Sequence, residues 1–380
     1  MEVSRLRPTA VNSVLAEVRE VTAQGRPVIS LMRGEPDLPT PAHITAAAID
    51  ALHRGRTNYP DNRGEMKLRE AVCRKLERDN ALRYEPAEIL VTPGATFGIY
   101  AALAAILREG EEVMLPDPIY DAYQSPVLLC GGRIRRVEGR LNAGRFELTR
   151  QSLERSWNPA CRLLILNDPW NPVGTVFTRA EIEAVAEFVN HRNLWLLSDE
   201  IYETLLYDGH RHHSPAALCR ERCILINSLS KTYAMTGWRV GYCAGPQAII
   251  DRMFMVLQQS SRGPAMFVQD AAAVALSASQ DCVEIMRLEY DRRRVRVMAE
   301  LGGSGVMKPE GGFFAMVDVR RTGLGSNEVR RRLLTEHGLV VIHGAAYGEE
   351  GEGTLRVSFA IGGPTLENGL RRLREGLASL

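Results

Sequence analysis

The sequence predicts an α/β fold with a mainly parallel sheet and a second, smaller domain, on three observations. From residue 86 onward, short apolar runs alternate with helical periodicity, strand then helix, as a parallel sheet with crossover helices requires. The 380 residues are enough for one large core and a lesser one. Roughly the last 80 residues return to shorter αβ pieces, the mark of a separate unit.

Composition narrows the function. Lys plus Arg number 47 and Asp plus Glu 46, a net charge of +1, which speaks against nucleic acid or a membrane surface as partner. Residues 1–8 are charged and lack an apolar centre, so no secretory leader is expected, and a cytoplasmic protein is. The longest apolar run, residues 98–107, is too short to span a bilayer. The seven cysteines are scattered; only Cys219 and Cys223 lie close, without a second pair at metal spacing, so reduced thiols and no metal site are expected. The pair His212 and His213 in a polar loop reads as exposed rather than metal-binding.

Taken in order, Val11, Val14, Leu15, Val18 and Val21 recur at three- and four-residue steps and predict a helix over 11–21. Residues 33–41 hold Gly34 among three prolines and form a fixed loop. Helices follow at 42–54 and 66–80, separated by a turn-rich stretch with Tyr59 and Pro60. A strand at 88–92 leads through Pro93-Gly94-Ala95-Thr96 into a helix at 97–107. Such a turn aims free N–H groups and the positive helix end at one point, where an anion binds. No G-x-G-x-x-G occurs, which weighs against a dinucleotide.

The strand at 113–115 runs into Tyr120, an aromatic at a strand end that either stacks on a flat ligand or fills core. A strand and connection occupy 131–146. The strand at 163–166 opens into Asn167-Asp168-Pro169-Trp170-Asn171-Pro172-Val173-Gly174, a rigid loop with a cis bond expected at one X-Pro step. After a helix at 179–192 and a strand at 194–197, Asp199 is either a cap or a buried charge with a cationic partner. Helical residues 246–280 carry a polar break at 258–264, and a long helix follows at 281–301. Strands at 311–318, 339–342 and 355–360 and helices at 326–337 and 365–377 complete the chain. Arg356, inside an alternating strand, must face solvent or an anion.

The most specific stretch follows the strand at 223–226 and includes Ser228, Ser230, Lys231, Thr232, Arg239 and Gly241. A lysine becomes a nucleophile once deprotonated, and the nearby Arg239 lowers its pKa. Ser228 and Arg239 suit a phosphate.

This stretch resembles the lysine motif of the class I aminotransferases, fold type I enzymes that use pyridoxal 5′-phosphate, and the resemblance runs from the Gly34 loop to the Arg356 strand. It implies a large domain, residues 42–284, with a seven-stranded sheet between helices, and a small α+β domain built from residues 1–41 and 285–380. It implies that Lys231 carries the cofactor as a Schiff base. Ala95, Thr96, Ser228, Ser230 and Arg239 hold its phosphate, and Asp199 its ring nitrogen. Asn171 and Tyr202 meet its ring oxygen, and Tyr120 stacks on it. Arg356, with Gly34 and Asn171, receives the substrate carboxylate. Tyr59 reaches the phosphate of a neighbouring subunit in a homodimer.

The reaction implied is ping-pong transfer of an amino group from an L-amino acid to a 2-oxo acid. A carbon–sulfur β-lyase or synthase on the same scaffold is the alternative. A non-enzymatic regulator that senses the cofactor carries a DNA-binding module, and about thirty residues before the Gly34 loop are too few for one. Thr96 stands where some aspartate-specific members carry Lys, Val173 where Thr is usual, and His343 where Pro is common, changing the mouth of the site. Arg262 lies in a loop that approaches the site in relatives. Tyr120, Tyr123 and Phe314 suit an apolar or aromatic substrate, while Thr96 with Arg262 leaves acidic ones open.

Overall fold

The computed structural model describes residue 6 and residues 8–380, so the charged leader lies almost wholly outside the described residues. Seven strands form the main sheet: β1 (Ile89–Thr92), β2 (Glu112–Asp117), β3 (Arg133–Glu138), β4 (Cys161–Asn167), β5 (Trp195–Asp199), β6 (Cys223–Ser228) and β7 (Gly241–Ala244). Their order is β1-β7-β6-β5-β4-β2-β3. All run parallel except β7, which lies antiparallel between β1 and β6. Both faces are covered, so β1 and β6 are buried along their whole length. That is why these strands read as continuous apolar runs rather than alternating ones.

One face of the sheet is packed by α2 (Ala42–His53), α3 (Met66–Asn80), α6 (Arg179–Arg192) and α8 (Met266–Ser277). The other face is packed by α4 (Ala95–Ile106), α5 (Gln124–Leu129) and α7 (Gln247–Ser260). Within β1, Ile89 and Val91 enter the first core while Leu90 enters the second, the two-residue alternation of a strand. Helix α6 begins where predicted because Thr178 and Glu181 form a reciprocal capping box. It ends at Asn193, whose φ of 55° is left-handed.

A second core surrounds the antiparallel sheet β8 (Phe314–Asp318), β10 (Thr354–Ser358) and β9 (Ile342–His343), in that order. It is flanked by α9 (Asp281–Leu301), α10 (Ser326–His337) and α11 (Gly363–Ser379), with α1 (Ala10–Ala23) packed on a smaller cluster beside it. The strand expected at 339–342 divides in two. Leu339–Val340 pairs with Ile29–Ser30, and Ile342–His343 pairs with β10. The strand expected from Gly311 starts at Phe314, because Gly312 turns the chain with φ 69°. Helix α4 starts two residues earlier than expected, directly after Gly94 at φ 83°. Both X-Pro bonds of the 167–174 loop are cis, as is Asp117-Pro118.

Gly241 lets β7 close against its neighbours: a Cβ there would lie 2.7 Å from the Asn227 carbonyl oxygen and 3.0 Å from the Ala95 nitrogen. Both are backbone atoms, which cannot swing aside. Gly241→Ala should therefore destabilise the fold by about 1–3 kcal/mol, as overpacking of a close-packed interior does, read from the denaturant midpoint.

Candidate active site

In an open α/β sheet, ligands gather beyond the carboxyl ends of the strands. Here the loops after β1, β2, β4, β5 and β6 enclose a cavity of about 510 Å³. Its wall includes Ala95, Thr96, Tyr120, Tyr123, Asn171, Tyr202, Ser228, Ser230, Lys231 and Arg239 from the sheet side. The second core adds Gly34, Phe314 and Arg356, and α1 adds Val11, Asn12 and Leu15.

Lys231 stands in the one-turn helix Leu229–Thr232 that follows β6, whose first residues are held by the Ser228 hydroxyl accepting from the Ser230 N–H at 3.0 Å. Its Nζ donates to the Gly34 carbonyl at 2.6 Å. Burial pushes its pKa down to about 8; Arg239 and Arg356 act in the same direction, against Glu35 and Asp199. The amine is therefore neutral, and nucleophilic, at a much lower pH than a free lysine.

Beside it is a place for an anion. Arg239 is left-handed at φ 56°, and its Nη1 donates to the Thr236 carbonyl at 3.0 Å. Its guanidinium lies against the Gly94 turn so closely that a Cβ on Gly94 would be 2.5 Å from Nη2. The cation, the Ser228 and Ser230 hydroxyls and the first N–H groups of α4 thus line one part of the wall.

Asp199 closes β5 and is buried. Its Oδ2 accepts from the Tyr123 hydroxyl at 2.6 Å and its Oδ1 from the Ile201 N–H at 3.3 Å. Burial raises its pKa to about 6, although the Tyr123 bond opposes the rise. Tyr123, read as suiting an apolar or aromatic substrate, does line the cavity, and its hydroxyl is engaged by Asp199. Arg356 is buried between Phe314 and Tyr347, its Cζ 4.2 and 4.8 Å from their ring centres. It donates to the Met32 carbonyl at 2.7 Å and to Asn171 Oδ1 at 3.2 Å, and its Nε has no partner among the described residues.

His212 departs from expectation. Rather than exposed, its side chain is 6% accessible, with Nδ1 2.8 Å from Asp168 Oδ2 and Nε2 2.9 Å from Glu200 Oε2. Burial alone would lower its pKa, but Glu200 and Asp168 outweigh it and hold the pKa well above 6.5. The ring is thus an imidazolium that ties the loop after β4 to the loop after β5. Two acids at buried strand ends were the signal that a cation had to be near. Donor atoms of Glu200, Glu203 and His212 lie within 4.8 Å of one another, a spacing that could suit a metal. They are already engaged: both ring nitrogens as above, and Glu203 with Lys75, Asn80 and Asn227.

Tyr59 does not line this cavity; it is 83% exposed, with the Arg262 guanidinium 5.7 Å from its ring centre. His343 lies not at the mouth but on a neighbouring cavity behind α1.

Residues 26–373 match the family description "aminotransferase class I and II". The chain is 39% identical to aromatic-amino-acid aminotransferase 2 of Thermococcus litoralis, covering 95% of each protein. It is 38% identical to the arginine–pyruvate transaminase of Pseudomonas aeruginosa, covering 92% of this chain and 90% of that enzyme. The structure of Thermus thermophilus aspartate aminotransferase with maleate superposes with a TM-score of 0.93 at 34% identity, covering 98% of each chain.

Removing one partner of a buried ion pair costs about 3–5 kcal/mol, because the charges left behind are uncompensated. His212→Gln should lose stability on that scale in chemical denaturation. Since the folded-state pKa is raised, the imidazolium's contribution should be complete below pH 6.5 and fall as the pH climbs toward the folded-state value.

Proposed function

We propose, for a chain that belongs to the class I and II aminotransferases, that Lys231 is the group that carries the cofactor and moves the proton, and that Arg356 selects amino and oxo acids. The enzyme is a pyridoxal-phosphate-dependent aminotransferase of the fold type I architecture. The observation that carries the assignment of roles is the cavity itself. It sets a half-buried lysine of lowered pKa between a buried carboxylate that, among the described residues, has no basic side chain bonded to it and a buried arginine whose Nε has no partner there.

The residues fit the cofactor. Asp199 is a buried acid that would gain a cationic partner in a protonated ring nitrogen. Arg239, Ser228, Ser230 and the backbone of Ala95 and Thr96 supply the donors that a phosphate needs. Pyridoxal phosphate, when bound, supplies the aldehyde that takes up the amino group and the ring that withdraws electrons from the reacting carbon. Asp199 would hold the ring nitrogen's proton, and the Tyr123 bond would keep Asp199 oriented. Tyr202 and Asn171 would face the ring oxygen, and Tyr120 would pack on the ring. With Asn171 Oδ1 engaged by Arg356, the amide's Nδ2 is left to donate.

Arg356 binds the α-carboxylate of either acid, beside the Gly34 backbone. Lys231 Nζ, whose proton affinity is lowered, would be the base that takes the proton from the amino acid's Cα and hands it on. Val11 and Leu15 of α1, Ile201 and Phe314 line the cavity alongside the polar Thr9, Asn12 and Glu35, and the apolar share supports an apolar or aromatic amino donor. Arg33, also on that wall, lies 3.9 Å from Glu35 and is 60% exposed. Tyr59 is proposed to complete the neighbouring subunit's site in a homodimer, which its exposure supports. A cytoplasmic location and a large domain over residues 42–284 belong to the same reading.

The decisive experiment is an anaerobic half-reaction of the holoenzyme with each amino acid, following the visible absorbance of the bound cofactor. Conversion to the pyridoxamine form without ammonia release, fastest for apolar and aromatic donors, is expected; ammonia in place of conversion would overturn transamination. Lys231→Ala should show no turnover. Arg356→Ala should raise KM for amino and oxo acids alike, by the equivalent of roughly 2–5 kcal/mol for loss of a buried charge pair. In the cofactor-free protein, modification of Lys231 by an amine reagent should be half-maximal near pH 8, not near 10.5.

A further inference from the structure

Behind α1, on the side away from Lys231, lies a second cavity of about 450 Å³ between α1, α5, α10 and β9. Thr9 lines both cavities, so the start of α1 is their shared wall. The reaction as derived above uses none of its other residues.

Three residues of this wall carry a buried polar atom with no partner among the described residues: Asp121 Oδ1, Arg330 Nη1 and His343 Nδ1. The rest of each group is held firmly. Arg330 is 1% exposed, its Nε donating to Asn327 at 3.0 Å and its Nη2 to Glu17 at 2.9 Å. Asp121 Oδ2 accepts from the Ala10 N–H at 2.6 Å. Burial, aided by Arg330, lowers the His343 pKa to about 4, so its ring is neutral near pH 7 and its Nδ1 either donates or accepts. A buried polar atom left unpaired costs about 1–3 kcal/mol, and three around one cavity of ligand size are an unusual concentration.

We infer that this cavity is a second binding site, separate from the active site, for a small zwitterion of the amino-acid class, its carboxylate on Arg330 and its ammonium on Asp121. The charges decide the class. Arg330 is paired with Glu17, and Asp121 lines the same cavity, so a simple anion there would meet two carboxylates and a simple cation the guanidinium. A molecule with both charges satisfies both ends, and the neutral His343 bonds either.

The test is calorimetric titration of the holoenzyme with 2-aminoisobutyrate, which has both charges but no Cα hydrogen and cannot be turned over. The visible absorbance is recorded in parallel, since it responds to binding at the active site. A saturable heat without an absorbance change is expected, retained in Arg356→Ala. It should weaken at least tenfold in Asp121→Asn, in Arg330→Gln and in Ser125→Leu, the last of which fills the cavity without removing a charge. Acetate and methylammonium should bind far more weakly. The inference is overturned if every heat tracks absorbance, if affinity in Ser125→Leu stays within twofold of wild type, or if acetate binds as well as the zwitterion. None of these outcomes depends on turnover, so the catalytic reading stands or falls separately.

Discussion

Charge buried without a protein counter-charge is the constraint on which this structure depends. Asp199 and Arg356 are both taken out of water; among the described residues Asp199 has no basic side chain bonded to it, and Arg356 Nε has no partner. In a medium of low dielectric such groups are costly unless something completes them, and cofactor and substrate have the charges to do so. The same burial lowers the affinity of Lys231 for a proton. One physical circumstance thus prepares the carboxylate, the guanidinium and the amine for different tasks.

Holding these groups in place falls to neighbours that touch no ligand. The His212 imidazolium joins the loops after β4 and β5, so Asn171 and Asp199 are positioned by one clamp. Glu203, bound by Lys75, Asn80 and Asn227, fixes the residue before Ser228. Tyr123 aims Asp199. The cavity wall is therefore backed by charged and polar networks on the sheet side and by aromatic rings around Arg356.

Much of this was legible in the sequence, for identifiable reasons. Strands such as β1 and β6 are buried along their whole length, so they stand out as unbroken apolar runs, and capped helices such as α6 show their ends. The Lys231, Asp199 and Asn171 motifs sit at strand ends, where the pattern changes abruptly. What stayed hidden depends on contacts far apart in the chain. His212 reads as polar loop because its two acids come from elsewhere, and Tyr123 reads as core or substrate contact because Asp199 is 76 residues away. The split of residues 339–342 between two partners likewise depends on pairings that no local pattern carries.

Lys231 and Arg356 belong to different cores, one beneath the seven-stranded sheet and one beneath the three-stranded sheet. On the proposed roles, an amino acid held at both residues would link the two sheets, and part of its binding free energy would go into holding them together. A primary amine without a carboxylate could reach the lysine but would leave the two sheets unlinked, so on that reading discrimination against such compounds would come from the architecture rather than from any single contact.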